Sequence, residues 1–221
     1  KARVVVNCAR DAKAAEAVAA EVVRRGGEAL AVRADVADFE AARGLVEQVV
    51  GKWGRVDVLV NTVGAFNWNP VVEIEPGEWR RVVATNLDSV FHMCRLVVPH
   101  MREKRFGRIV NFAAVGAATT VGEPQMAAYS AAKAGVVALS RALALEEARC
   151  GITVNVVSPG LLKDETGNKA AAAADALLGD RVPVGHAGRA VDVVRAVLFF
   201  ASPAADFVTG QVVEVAGGSR I

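Results

Sequence analysis

The chain has 221 residues, of which 53% are hydrophobic, and its 26 basic and 24 acidic side chains give a formal net charge of +2. A chain of this length buries enough surface to fold as one domain without disulfides or metals. Because the two signs of charge are mixed along it, the basic block that nucleic-acid binding needs is excluded. Every apolar run is interrupted before the ~18 residues that span a bilayer, so we expect no membrane segment.

The remaining composition points to small-molecule partners in a reducing compartment. No charged stretch followed by an apolar segment opens the sequence, so nothing predicts secretion and we expect a cytoplasmic protein. Cys8, Cys94 and Cys150 are odd in number and far apart, which favours small core residues over a redox pair. The three histidines lack a companion ligand pattern, so no metal site is predicted.

Apolar runs of strand length alternate along the chain with segments of helical periodicity. The predicted strands cover 3–8, 28–33, 56–60, 108–112, 153–157 and 211–215, and the predicted helices lie near 11–25, 38–52, 77–103, 125–149 and 189–201. Asp38 is expected to cap the helix that follows it, and Gly26 and Gly51 to close the helices before them. This alternation predicts one α/β domain over residues 1–221, with a Rossmann-like doubly wound parallel sheet.

The sequence lacks the first strand and the glycine-rich turn with which such a fold normally opens. A doubly wound nucleotide fold normally opens with a central strand and a glycine-rich turn that holds the cofactor's pyrophosphate. This chain has no G-x-G-x-x-G pattern, and its first residues, 1–7, are interpreted as the second strand of the fold. We expect either part of a longer protein or a fold without its central strand, and favour the former because the sheet would otherwise lose its middle.

Tyr129 and Lys133 are four residues apart in a predicted helix, so both side chains rise from one helix face. A tyrosine normally titrates near ~10, but a neighbouring ammonium stabilises the phenolate and favours proton transfer nearer neutral pH. Alone, this spacing is a weak pattern that often occurs by chance, and a buried tyrosine with a solvated lysine is the alternative.

Seven further motifs accompany the Tyr129–Lys133 segment, in the order 7–10, 34–36, 57–64, 86–87, 107–111, 155–160 and 209–211 with 217–218. Together these eight segments resemble the short-chain dehydrogenase/reductase family, and most closely its 3-oxoacyl-(acyl-carrier-protein) reductase branch. The resemblance covers nearly the whole chain. It implies an oxidoreductase that transfers hydride between a nicotinamide and a carbonyl or alcohol substrate, with 3-oxoacyl thioesters as candidates.

The resemblance implies a role for each matching catalytic position. Tyr129 would protonate the substrate carbonyl oxygen, Lys133 would also hydrogen-bond the nicotinamide ribose, and Asn86 would help to hold a water in the proton relay. A buried amide that satisfies backbone groups is the alternative for Asn86. The implied cofactor positions, besides Tyr129 and Lys133, are Asp35, Val36, Asn61, Gly64, Pro159 and Gly160. For Asp35, a turn or helix-capping role is the alternative.

The end of the first predicted strand favours NADP over NAD. An acidic residue there would bind the ribose hydroxyls of NAD and repel the additional phosphate of NADP. Residues 7–10 contain no carboxylate, and Arg10 offers a forked pair of donors to a phosphate. The alternative for Arg10 is an exposed surface side chain.

The sequence departs from the family pattern after the strand over 108–112. The family serine that hydrogen-bonds the substrate carbonyl falls on Ala114, which donates nothing, while Thr119 or Thr120 could supply a hydroxyl from a slightly longer loop. Removing one oxyanion donor typically costs ~10²–10³ in turnover. The alternative function is therefore a cofactor-binding or assembly protein with weakened catalysis.

Two further expectations concern assembly and substrate closure. Family members are usually tetramers built partly from the helices over 79–101 and 125–149, whose apolar residues are compatible with burial in a homotetramer or homodimer, or in the core. The alanine-rich segment 169–178 is expected to lie in the mobile lid over the substrate.

Overall fold

The computed structural model describes residues 2–163 and 182–219, and the predicted lid at 169–178 lies outside these ranges. The strands are β1 (Arg3–Cys8), β2 (Glu28–Arg33), β3 (Val58–Asn61), β4 (Gly107–Phe112), β5 (Ile152–Pro159) and β6 (Val212–Val215). The helices are α1 (Ala12–Arg24), α2 (Phe39–Trp53), α3 (Pro76–Val83), α4 (Ser89–Lys104), α5 (Ala127–Glu147) and α6 (Ala190–Ala201). The predicted alternation of strands and helices is confirmed, with bounds within about two residues.

All strand pairs are parallel, but the predicted single sheet is divided in two. β1 pairs with β2, and a second sheet has the order β3-β4-β5-β6. Among the described residues, no strand lies between β1 and β3, so each is paired on one side only. In the usual strand order of a doubly wound fold, the first strand separates the second from the fourth. The arrangement therefore agrees with the interpretation of β1 as a second strand.

One hydrophobic core joins the two sheets. Its buried side chains come from α2, α4, β4, α5 and β5, and include Val46, Val97, Ile109 and Val154. Val5 of β1 packs against the same cluster. The shared core holds the smaller sheet to the larger one without strand pairing. No helix in the described ranges is long and apolar enough to cross a membrane.

The helix ends follow from local side-chain chemistry, with one correction. Asp38 Oδ1 accepts a hydrogen bond from the Ala41 backbone N–H at 2.8 Å, so the predicted cap of α2 is confirmed. Gly26 has the expected positive φ of 80° beyond α1. The prediction for Gly51 was wrong, because α2 continues past it to Trp53, which packs on the core, and closes at Gly54 with φ 72°.

An ion pair between an exposed arginine and a buried glutamate joins the carboxyl ends of α4 and α5. Arg102 donates two hydrogen bonds to the carboxylate of Glu147, one of them from Nε at 2.7 Å. The Glu147 side chain is 1% exposed, whereas that of Arg102 is 55% exposed. A buried carboxylate is costly unless it is paired, so Arg102 fixes the spacing of the two helices.

We expect Arg102→Leu to lower the thermal midpoint of unfolding by roughly 5–10 °C, because it leaves the Glu147 carboxylate buried without a partner. The matched control is Arg43→Leu, which removes an exposed pair with Glu40 on α2 and should shift the midpoint by at most about 2 °C. Equal shifts of the midpoint in the two variants, measured by calorimetry, would contradict the role of Arg102 as the partner of a buried carboxylate.

Candidate active site

Tyr129 and Lys133 lie one turn apart near the start of α5, beside the carboxyl end of β4. Lys133 is buried, and its Nζ donates a hydrogen bond to the Phe112 carbonyl at 2.9 Å. The same Nζ lies 5.6 Å from the centre of the Tyr129 ring. The predicted pairing on one helix face is confirmed as geometry, and the lysine is buried rather than solvated.

Burial moves both pKa values away from those of free side chains. It lowers the pKa of Lys133 from 10.5 to about 8, because the charged ammonium loses its hydration. It also raises the pKa of Tyr129 above its ordinary value, since the phenolate is the form that burial disfavours. Burial therefore opposes the acidifying effect on Tyr129 that we predicted for the lysine.

Asn86 lies in a π-helical turn, Ala84–Asp88, which joins α3 to α4 within the predicted long helix. Its side chain is fully buried, and Nδ2 donates to the carbonyls of Val82 at 3.0 Å and Ala65 at 2.6 Å. Among the described residues, Oδ1 accepts no hydrogen bond. The amide therefore satisfies backbone groups, as the alternative proposed, while its buried oxygen is left without a hydrogen bond among the described residues.

Gly64 allows this close approach. An ideal Cβ at Gly64 would lie 2.3 Å from Asn86 Oδ1, so any side chain there would displace the amide. Gly160 is required for a different reason, because a Cβ would lie 2.7 Å from Ala216 Cα in the chain after β6. The constraint on Gly160 comes from this protein contact.

Asn61, a predicted cofactor residue, belongs to a buried polar chain. Its Nδ2 donates to Asn111 Oδ1 at 2.8 Å, and Asn111 in turn donates to Ser140 Oγ at 2.9 Å. Asn61 Nδ2 also lies 3.9 Å from the sulfur of Cys94. These contacts direct the Asn61 side chain into the layers formed by the sheet, α4 and α5.

The remaining predicted cofactor positions surround the carboxyl ends of the strands. Asp35 is exposed, and its carboxylate accepts from the Ala37 backbone N–H at 3.0 Å, which is the turn role given as its alternative. The side chain of Val36 packs in the core. Arg10 is exposed between β1 and α1, and Pro159 ends β5.

The loop after β4 provides no serine at the predicted position. Thr119 donates its hydroxyl proton to the Gly116 carbonyl at 3.1 Å, and Thr120 donates to the Thr119 carbonyl at 2.7 Å. Both hydroxyls are therefore engaged within their own loop. Ala114 and Thr120 line a cavity of about 170 Å³ together with Ser130.

Two residues near the site were missed by the sequence reasoning. The ring of Phe66 lies 5.0 Å from that of Tyr129 in an edge-to-face arrangement. Arg33, at the end of β2, donates from Nε to the Ala9 carbonyl at 3.2 Å, beside Arg10. Arg33 could have been identified from the sequence, because two parallel strands end at the same edge of a sheet and the end of β2 therefore lies beside the end of β1.

These residues fit a dinucleotide cofactor. An ammonium has three donors, and that of Lys133 uses one on Phe112, so two N–H groups remain for ribose hydroxyls. Asn86 Oδ1 is buried without a partner among the described residues, and two guanidinium groups flank the end of β1. Groups for the ribose hydroxyls and for an additional phosphate are thus present, whereas the glycine-rich turn that would hold the pyrophosphate is not in the sequence.

Comparison with known proteins places the chain in a family. A family model described as enoyl-(acyl carrier protein) reductase matches residues 1–220. The chain is 36% identical to the 3-oxoacyl-[acyl-carrier-protein] reductase FabG of Staphylococcus aureus, over 97% of this chain and 87% of that protein. It is 38% identical to the FabG protein of Haemophilus influenzae, over 99% of this chain and 88% of that protein.

Solved structures agree with this assignment. A crystal structure assigned as a gluconate dehydrogenase from Agrobacterium tumefaciens superposes with a TM-score of 0.87 at 30% identity, covering 98% of this chain and 85% of that one. This chain belongs to the short-chain dehydrogenase/reductase family. It is an oxidoreductase that acts on CH–OH or C=O groups.

We expect Lys133→Met to stabilise the protein at pH 7 by about 2 kcal/mol, because it removes a buried charge while one hydrogen bond is lost. The folded-state pKa of about 8 lies below the ordinary 10.5, so the wild type gains stability as pH rises between these values. The advantage of the variant is therefore complete below pH 8 and lost above pH 10.5. Urea unfolding at pH 7 and pH 10.5 measures it.

The control for this measurement is Lys104→Met, at an exposed position on α4, which should change the free energy of unfolding by less than about 0.5 kcal/mol at either pH. A variant at Lys133 that is equally destabilised at both pH values would contradict the burial of a charged ammonium.

Proposed function

We propose that the chain is an NADP-dependent carbonyl reductase whose acid is Tyr129 and whose electrostatic partner is Lys133. The observation that carries the proposal is the buried Lys133 ammonium held 5.6 Å from the Tyr129 ring at the carboxyl end of β4. The FabG names of its relatives make 3-oxoacyl thioesters candidate substrates. Residues 1–221 would belong to one Rossmann-like domain.

The chain's own residues would hold the substrate and deliver a proton. A bound nicotinamide dinucleotide supplies the hydride. The Tyr129 hydroxyl, whose pKa burial raises above its ordinary value, is protonated at neutral pH and donates its proton to the carbonyl oxygen. The Lys133 charge stabilises the phenolate left behind, and its remaining N–H groups bind ribose hydroxyls. Asn86 Oδ1 is an acceptor for a relay water.

Ala114 sets the expected level of activity rather than the type of reaction. A serine at this position would add one donor to the developing oxyanion, an interaction worth ~10²–10³ in rate. Thr119 and Thr120 keep their hydroxyl protons on loop carbonyls. We therefore propose slow turnover. The reductase and dehydrogenase names of the relatives favour this enzyme over the cofactor-binding alternative.

NADP is favoured over NAD by positive charge at the end of β1. Arg10 is exposed there, and Arg33 is held nearby by its bond to the Ala9 carbonyl, which uses only Nε and leaves the terminal nitrogens for a phosphate. We include Arg10 with Asp35, Val36, Asn61, Gly64, Pro159 and Gly160 in the proposed cofactor surface. Within that set, the side chains of Asn61 and Val36 contact the protein interior, which favours a role in supporting the cofactor surface rather than in touching the cofactor.

Assembly and location belong to the same proposal. Phe91 of α4 and Leu145 of α5 are 46% and 83% exposed, so both helices present apolar side chains to solvent. This pattern supports a homodimer or homotetramer that covers them. We propose a cytoplasmic enzyme with a small-molecule carbonyl or alcohol substrate and neither nucleic-acid nor membrane partners.

The proposed chemistry is tested by Tyr129→Phe, which removes the acid and keeps the ring. We expect NADPH oxidation with 3-oxoacyl thioesters or ketones to fall by a factor of ~10²–10⁴, while titration shows that NADPH still binds. Because Tyr129 is the one tyrosine in the sequence, no other phenol can replace it. Equal turnover in both proteins would overturn its role as the acid.

The cofactor preference is tested by Arg10→Ala and Arg33→Ala, each compared with the wild type. We expect each variant to bind NADPH about 10-fold more weakly and NADH with unchanged affinity, because only NADPH carries the additional phosphate. Equal weakening of both cofactors, measured by fluorescence titration, would show a general effect on the β1 end and contradict phosphate recognition.

A further inference from the structure

In the segment Phe66-Asn67-Trp68, after β3, the polar side chain is buried and the two aromatic side chains are exposed. This is the reverse of the burial that the hydrophobic effect favours. Asn67 is 6% exposed, whereas Phe66 is 50% and Trp68 is 56% exposed. Both polar atoms of the Asn67 amide lack a hydrogen-bond partner among the described residues. Burying an unpaired amide while exposing two aromatic rings costs free energy. Such departures are expected where a surface is kept for a ligand.

The exposed rings form one surface that begins at the proposed acid. Phe66 lies edge-to-face on Tyr129 with ring centres 5.0 Å apart, and Trp68 lies 5.8 Å from Phe66 at a tilt of 46°. Tyr129, Phe66 and Trp68 are therefore consecutive contacts. We call Phe66 and Trp68 the aromatic platform.

The backbone holds the aromatic platform on both sides. Before it, the Ala65 N–H donates to Thr85 Oγ1 at 3.2 Å, and the Ala65 carbonyl accepts from Asn86. After it, the Asn69 N–H donates to the Gln125 carbonyl at 2.9 Å, and Asn69 Nδ2 donates to Glu78 at 3.1 Å. The rings are thus presented by an anchored loop, which lowers the entropic cost of binding a ligand.

The two segments that flank the platform carry negative charge only. Residues 61–75 and the facing loop 113–126 contain no lysine or arginine, and their charged residues are Glu73, Glu75 and Glu123. A phosphate or carboxylate beside the platform would find no cationic partner in these two segments. An uncharged, flat, apolar group would instead stack on the two rings.

We propose that the aromatic platform binds an aryl group attached near the reacting carbonyl, so that uncharged aryl ketones and aryl 3-oxo esters are the preferred substrate class. This inference rests on the proposed reductase activity. Phe66 and Trp68 are specificity-determining residues. Trp68 is the cleaner probe, because Phe66 also contacts Tyr129.

Ethyl benzoylacetate and ethyl acetoacetate form a matched pair of 3-oxo esters that differ in a phenyl or methyl group on the reacting carbonyl. We expect the wild type to have the higher kcat/KM for the phenyl ester. In Trp68→Leu this preference should fall about 3- to 10-fold through KM, with acetoacetate turnover within about twofold of the wild type. Phe207→Leu is the control, because Phe207 is fully exposed near the amino end of β6, away from the carboxyl ends that form the site.

Calorimetric titration with the two alcohol products gives a readout without turnover. Weaker binding of ethyl 3-hydroxy-3-phenylpropanoate to Trp68→Leu, with ethyl 3-hydroxybutanoate unchanged, supports the platform. An unchanged phenyl preference in Trp68→Leu, or the same loss in Phe207→Leu, overturns it while acetoacetate turnover upholds the reductase. Absence of turnover with every ketone overturns the reductase instead, and the titration then decides the platform alone.

Discussion

The buried ammonium of Lys133 is the constraint on which the arrangement of this site depends. To reach the Phe112 carbonyl at 2.9 Å, α5 must pack closely on the end of β4. Small residues make that possible: Ala128 and Ala132 are buried, and an ideal Cβ at Gly135 would lie 2.9 Å from Leu87. The same packing places α5 against the π-helical turn that holds Asn86. One charged group thus fixes the position of the helix, the tyrosine and the asparagine relative to one another.

Buried polar groups elsewhere in the fold act in the same way. The hydrogen bonds from Asn61 through Asn111 to Ser140 connect β3, β4 and α5. They satisfy buried polar groups that water would satisfy in the unfolded chain. Such networks are costly when incomplete and rigid when complete. Together with the Arg102–Glu147 pair, they restrict α5 along its length. A site built on this helix is held by specific contacts at both ends and in the middle.

Residue type and spacing allowed the order of the elements and part of the candidate site to be predicted from the sequence. The strand and helix order, the cap at Asp38 and the shared face of Tyr129 and Lys133 depend on spacing and residue type, which a sequence displays directly. The direction of the Asn61 side chain and the contact of Phe66 with Tyr129 could not be predicted, because each depends on segments brought together by the fold. For the same reason, spacing could not show that burial raises the pKa of Tyr129.

The division of the sheet has a consequence for how the molecule opens to solvent. In most doubly wound folds the central strands are the most protected from amide hydrogen exchange, because both of their edges are paired and covered. Here β1 and β3 each have an edge without a strand partner among the described residues, and Val58 and Val60 of β3 are both 39% exposed. Unpaired backbone groups at such edges are templates for a further strand. Amide exchange at β1 and β3 therefore reports whether a strand occupies the position between them, because paired edges exchange slowly and open edges exchange fast.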